Sequence, residues 1–314
     1  QAFFQALARE APRGAYPRGI SGEQNYWTLV GVDGGGARSA LFSEDGALEL
    51  GPGGVSVEPF AIVDGRVFSW ADVEITQALR EDYLPIPSVL WRGPGWELRT
   101  TALADGAADA PRLLHRYELT NASDHVREFS LVLAVRPFQV NPPQQFLGAP
   151  AGFSPINEIA WTGAEVAING APRLRPLQAP DAVRAAPFDD GAWIGAARGE
   201  ASAASEQGFA AAALVYRLRL APGQHAALGF VSSLTPNAAP AAPRGATLAW
   251  LDRRQEALAR DWRRKLGHVS FAVPAEGARL VNTLRSSIAT MLMSRDGPAL
   301  RPGTRSYARS WIRD

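Results

Sequence analysis

From Asn25 onward, apolar positions follow a period of two, in short runs broken by turn-forming clusters. The runs "NYWTLVGV", "SALFS", "ALEL", "VSVEPFAIV" and "RVFSWADVEITQAL" are divided by "DGGG" (33–36), "EDG" (44–46), "GPGG" (51–54) and "VDG" (63–65). Glycine supplies positive φ at each break, and β-branched and aromatic residues fill the runs, so antiparallel hairpins are predicted. "WELRTTALA", "RLLHRYELT" and "REFSLVLAVRPFQV" continue the pattern, the last two joined through "NASD" as a long hairpin. After a proline-rich stretch (142–187), "AWIGAARG", "AAALVYRLRLAPG" and "HAALGFVSSL" supply more strands. No helical period interrupts roughly 200 residues, which predicts a mainly β chain built as a large antiparallel sandwich.

The period changes after "TPNAAPAAPRG" (235–245). In "ATLAWLDRRQEALARDWRRKLG", Leu248, Leu251, Leu258, Trp262 and Leu266 recur at helical spacing, with Gly267 as the stop. A second helix is predicted in "AEGARLVNTLRSSIATMLMSRDG", with Leu280, Leu284, Ile288, Met291 and Leu292 on one face. The expected organisation is a β domain over 1–234, a linker with a helix over 235–274, and a further helix with its tail over 275–314. Within the first part, residues 1–22 read as a short amphipathic piece and a Pro/Gly-rich approach.

Composition narrows the partners. A net charge of +1 gives no basic excess for nucleic acid or an anionic membrane. There is no cysteine, so disulfides, thiolate metal sites and cysteine nucleophiles are excluded. Lys265 is the only lysine, and with heavy Ala, Gly and Pro usage the arginine bias reads as G+C-rich bacterial coding. No run of ~20 apolar residues would span a membrane, and the compartment (cytoplasm, periplasm or outside the cell) stays open. "QAFFQALARE" lacks an initiator Met and is too short for a signal peptide; both ends read as cut, so a segment of a longer chain is expected.

Most candidate chemistry reduces to structure. "GVDGGG" is followed by neither a helix nor a Lys-Ser/Thr pair, so it reads as a hairpin turn rather than a phosphate loop. His115, His125, His225 and His268 are scattered singly; no metal or cofactor site is expected. Asn121 heads a glycosylation sequon in form, but its place in a tight turn predicts turn chemistry. Two segments read as binding loops: "YLPIPSVLW" (83–91) and "RPFQVNPPQQF" (136–146). In the second, Gln139, Asn141, Gln144 and Gln145 offer uncharged donors and acceptors suited to hydroxylated ligands.

The tail "RPGTRSYARSWIRD" is the most specific signal. Read as a strand, it sets Arg305, Tyr307, Arg309, Trp311 and Arg313 on one face. Rings cover the C–H faces of sugars and guanidinium groups bind adjacent hydroxyls, so a sugar site is expected here. With the preceding helix and the large β domain, "PGTRSYARSWIRD" resembles the domain junction of glucoamylase-like and cellobiose/maltose phosphorylase-like enzymes. The resemblance implies a β super-sandwich, a linker helix and the first helix of an α/α six-hairpin barrel. It further implies that Trp311, Arg313 and Asp314 hold the non-reducing sugar of an oligosaccharide, with Tyr307 and Arg309 as supports. The family's general acid, a later Glu, has no position in 1–314, so the segment alone is expected to be inactive. Cleavage with inversion is implied, by water or by phosphate. The alternative is a non-catalytic carbohydrate-binding or scaffolding sandwich. A mutarotase-like sandwich would need a His/Glu constellation, which is absent from the sequence.

Overall fold

The computed structural model describes residues 2–51, 53–141, 152–187, 194, 199–236 and 238–305. It is mainly β, with two antiparallel sheets face to face. Sheet one holds β1 (Trp27–Val30), β2 (Ala40–Ser43), β3 (Leu48–Glu49), β4 (Ser56–Val63), β5 (Arg66–Phe68), β10 (Arg127–Arg136), β14 (Ala182–Pro187) and β16 (Ala210–Leu220). Sheet two holds β6 (Glu74–Arg80), β7 (Leu84–Gly93), β8 (Trp96–Asp105), β9 (Arg112–Asn121), β11 (Glu158–Trp161), β12 (Val166–Ile168), β13 (Ala171–Pro176), β15 (Ser202–Ala204) and β17 (His225–Ser233). In space, sheet one runs β1-β2-β3-β4-β10-β16-β14, with β5 added on β4, and sheet two runs β15-β11-β12-β13-β17-β9-β8-β7-β6.

Helices cover the outer faces. The N-terminal helices α1 (Ala2–Glu10) and α2 (Arg18–Ser21) bring Ala8 and Ile20, with Tyr16 between them, onto sheet one. That is why β10 carries the unbroken apolar run "LVLAV": Leu131, Leu133 and Val135 face the inter-sheet core, Val132 and Ala134 the helices. On sheet two, α3 (Leu248–Leu266) lays Leu251, Leu258, Trp262 and Leu266 over Leu84, Ile86, Leu103, Leu114 and Val231. The Thr247 side chain caps its start and the Gly267 N–H closes its end on the Arg263 carbonyl, 2.9 Å away. Beside it runs α4 (Ala278–Ser294).

Four expectations are corrected. The stretch 142–187 is more than a proline-rich connection, since β11 to β14 lie within it. "YLPIPSVLW" is no binding loop: it forms most of β7, and Leu84 and Ile86 are buried under the helices. "RVFSWADVEITQAL" is two strands, parted where the Ser69 and Asp72 side chains cap a tight turn at Trp70–Asp72. In α4, Leu280, Leu284 and Met291 of the predicted face are exposed, while Ile288 and Leu292 pack on the sandwich beside the buried Ala289 and Met293.

The core also buries one imidazole. His115 is stacked between Tyr117 and Phe230, at centroid distances of 4.4 and 5.2 Å, with neither ring nitrogen hydrogen-bonded. Burial alone pushes its pKa down to about 3, so the ring is neutral and serves as packing. Asn121 likewise proves structural: it is fully buried and its amide donates to the carbonyls of His125 and Leu220.

Candidate functional site at the sandwich–strip junction

The glycine-rich loop between β1 and β2 does more than turn. Its Gly34 and Gly36 N–H groups donate to the Leu292 and Met293 carbonyls, at 2.8 and 3.0 Å, completing the last turn of α4. Both glycines have positive φ, +77° and +54°, and a Cβ on Gly36 would stand 3.4 Å from the Arg295 carbonyl oxygen. Asp33 accepts from Lys265 at the end of α3 (2.7 Å) and from Arg295 just beyond α4 (2.8 Å). Burial opposes ionisation of Asp33, but these two hydrogen bonds outweigh it and hold the carboxyl below its usual range. One short loop thus clips both helices.

The same loop ends at Ser39, which receives the first arginine of the tail strip. Arg305 Nη2 donates to the Ser39 carbonyl at 2.9 Å and Nη1 to Ser39 Oγ at 3.2 Å. Its Nε lies 3.6 Å from Glu49 Oε1, and the side chains of the two residues are 7% and 1% exposed. Glu49 Oε2 in turn accepts the N–H groups of Val140 (3.0 Å) and Asn141 (3.2 Å). Burial pushes the Glu49 carboxyl up despite Arg305 and these backbone donors, and burial likewise lowers Arg305. One carboxylate therefore ties the loop 137–141 to the strip.

Glu49 reaches this position through sheet geometry. Alternation in "LEL" sends Leu48 to the core and Glu49 to the outer face, next to Leu41 on β2 and Ser56 on β4. Along the same face, Glu58 pairs with the buried Arg136, which also donates to the Ala15 carbonyl at 2.6 Å. Asp45, in the turn after β2, takes Arg18 Nε at 2.8 Å. Burial raises Asp45 to about 6, more than Arg18 lowers it, and Glu44 and Glu23 push in the same direction as burial. Three carboxylates near β2–β4 hold arginines from the N-terminal helices, the end of β10 and the tail strip. Each of these carboxylates faces an arginine, so the arrangement ties segments of the chain together.

The sequence-predicted residues divide accordingly. Gln139 is internal to its loop: its Oε1 accepts the Gly152 N–H at 2.6 Å, and it is 7% exposed. Asn141 is 1% exposed, and neither polar atom of its side chain has a hydrogen-bond partner among the described residues. Arg305, expected on an open guanidinium–ring face, is instead buried, and 301–305 form no strand. Gln144, Gln145, Tyr307, Arg309, Trp311, Arg313 and Asp314 lie outside the described residues. Sequence reading missed Glu49 and Asp33. The only signals were a charge between leucines in "LEL" and an acid opening the glycine run, while the cations they face, Arg305, Lys265 and Arg295, lie at the far end of the chain.

No protein-family model matches the chain, and no curated protein matches it. Among solved structures, a bacterial glucoamylase complexed with acarbose covers 92% of this chain and 47% of its own, at 10% identity and a TM-score of 0.56. The chain is similar in fold to that glucoamylase. It spans about half the glucoamylase's length (47%). A putative kojibiose phosphorylase from the human microbiome covers 85% of this chain and 31% of its own, at 10% identity and a TM-score of 0.29. A polysaccharide lyase covers 67% and 32%, at 15% identity and a TM-score of 0.33. The resemblance read from the tail and the β domain is borne out as a likeness of fold.

Proposed function

We propose that residues 1–314 are the β domain (1–234), linker with helix (235–274), and first helix with site strip (275–314) of a carbohydrate-active enzyme that cleaves glycosidic bonds. It is a glycoside hydrolase, or a phosphorylase with phosphate as acceptor. Trp311, Arg313 and Asp314 grip the sugar at the cleavage point, with Tyr307 and Arg309 in support. A pair of carboxylates elsewhere in the parent enzyme acts on opposite faces of the sugar with inversion, leaving this segment inactive alone. The likeness to a glucoamylase bound to acarbose supports the class.

The observation that carries the reading is the burial of Arg305, which seats the residue leading into the strip on the sandwich. The uncovered side of α4 fits the same reading. Phe271, Val273, Leu280, Leu284 and Met291 are 41–73% exposed, an apolar surface suited to further helices of a barrel from the same protein.

The test is Asp314→Ala in the full-length protein. A charge-assisted bond that tightens in the transition state is worth roughly 2–4 kcal/mol, so kcat/KM should fall on the order of thirtyfold to a thousandfold. The melting temperature should stay put; normal kinetics with a lowered melt would reject the assignment. One feature favours the second reading, a carbohydrate-binding sandwich. A groove of about 210 Å³ beside the 59% exposed Tyr26 is lined by Trp27, Thr28, Gln77 and Ser88, with Glu44 as its one charged residue. Oligosaccharide binding abolished by Tyr26→Ala and indifferent to Asp314→Ala would select it.

A further inference from the structure

We propose that the uncovered end of the outer face of sheet one is a ligand groove, in which Arg217 and Arg219 take the carboxylate of a sugar acid. The choice of a sugar as the carrier of that carboxylate rests on the carbohydrate reading above; the anion site rests on the groove alone.

The N-terminal helices cover this face only in part. They pack on Phe60, Val132 and Val215, which lie side by side across β4, β10 and β16. The next row on the same face is Ile62, Ser130 and Arg217, and the row after it pairs Glu128 with Arg219. These residues line an open groove of about 730 Å³ on the side of the sandwich opposite α3 and α4. Arg127, at the start of β10, is already engaged there: it donates to Asp64 and to the Pro94 carbonyl, both at 2.6 Å.

Arg217 and Arg219 are different. Both are exposed, and neither guanidinium has a hydrogen bond or ion pair among the described residues. The Asp181 carboxylate takes the Arg217 backbone N–H, at 2.6 Å, rather than the side chain. The two arginines stand two residues apart on one strand face, about 7 Å by strand rise, so their charges repel until an anion lies between them. The positive field reaches the neighbouring strand. Burial, and after it the like charge of Arg217, lowers Arg184 on β14, a 6% exposed residue whose Nε has no partner among the described residues.

The remaining groups say what carries the anion. Of the lining acids, Asp64 is paired and Glu128 has no partner among the described residues, so a dense polyanion would be repelled. A sugar acid has one negative group amid hydroxyls. The guanidinium forks suit its carboxylate, Glu128 accepts from its hydroxyls, and Ser130 can do either.

The experiment is calorimetric titration of the full-length protein with tetragalacturonate and a hyaluronan tetrasaccharide, both acidic, and with neutral maltotetraose. At least one acidic probe should bind, and its affinity should fall severalfold between about 0.05 and about 0.5 M salt. Arg217→Gln and Arg219→Gln should each weaken it about tenfold, as for one lost charge-assisted bond, with the melting temperature unchanged because both side chains are exposed. Arg217→Lys should lose nearly as much, since an ammonium lacks the fork; full affinity in that variant overturns the fork. Binding and turnover of maltotetraose should be the same in all three variants. Failure of both acidic probes to bind overturns the proposal, as does binding that both glutamine variants leave intact. Displacement of the acidic probe by inorganic sulfate at equal concentration leaves a general anion site and overturns the sugar acid. The strip is judged separately: acidic binding lost in the arginine variants supports the groove whatever Asp314→Ala does to turnover, and acidic binding lost only in Asp314→Ala refutes it.

Discussion

The helices α3 and α4 are nearly equal in length, 19 and 17 residues, and both are amphipathic, yet they use their apolar residues differently. α3 buries Leu251, Leu258, Trp262 and Leu266 on sheet two and ties its flanks down with Arg254–Asp105, Arg263–Glu81 and Glu256–Arg80. α4 meets the sandwich through Ile288, Ala289, Leu292 and Met293, with Arg285 over the Tyr83 ring, and turns Leu280, Leu284 and Met291 outward. Its hydroxyls bond inward to its own turns, Thr283 to the Arg279 carbonyl and Thr290 to that of Ser286. A helical period establishes that a helix has an apolar side; it does not say which neighbour that side serves. In α3 the neighbour is the sandwich. In α4 one apolar strip, Leu280, Leu284 and Met291, is free of it.

Substitutions should widen this contrast. The largest effect is expected from Trp262→Ala, which removes a 5% exposed indole from under α3 and should cost about 3–5 kcal/mol by denaturant melt. A loss under 1 kcal/mol would mean that α3 is only loosely docked.

Acid comes next. His115 is held neutral with its pKa near 3, below the value of about 6.5 in an unfolded chain. Its contribution is therefore complete above pH 6.5 and is lost as pH falls toward 3, on the order of 4 kcal/mol over the window. His115→Phe should flatten that part of the stability–pH curve; a curve that keeps its slope would show that another group titrates.

Removing the histidine also uncovers the smaller step from Asp105. Burial opposes its ionisation, but hydrogen bonds from Arg254 and Arg112 prevail and depress its pKa. That stability is present above the unfolded carboxylate pKa and fades as pH drops through the folded one. Asp105→Asn should cost about 2 kcal/mol at pH 7 and abolish the acid step, since one side of the α3 attachment loses its charge. An Asp105→Asn melt that still shows the acid step would place it elsewhere.

The smallest effect is expected on α4. In the 314-residue chain, Leu280→Ser and Leu284→Ser should each change stability by less than about 0.5 kcal/mol. A cost above 1.5 kcal/mol would mean that these leucines are covered within the chain, which removes the contrast.

Local chemistry made much of this legible. The strands β8 to β10 and the face of α3 follow from alternation and period, because each buries a face whose pattern lies within one short segment. β13 and β14 were missed because "APRLRP" and "AVRAAP" alternate weakly and carry prolines and arginines, one of which, Arg184, is buried. The junction was half legible. The strip and the 136–146 loop stood out by composition, but the residue joining them did not. Glu49 occupies a two-residue strand, and the partner that explains it is Arg305. Likewise, the DGGG run announced a turn, while the carbonyls its glycines approach belong to Leu292 and Met293.

The clip formed by Asp33 has a practical consequence for chemical labelling. Lys265 is the sole lysine of these 314 residues, and its ammonium sits 2.7 Å from Asp33 at the seam between α3 and the glycine loop. Its side chain is 40% exposed, so an acylating reagent can reach it, while the Asp33 carboxylate stands against the ammonium and obstructs the approach. Apart from the N-terminal amine, a single adduct in a peptide map therefore reports on one bond of the whole fold. Its rate of appearance is a clock for the opening of that seam, and the adduct, having lost its charge, marks the molecules in which the clip can no longer close.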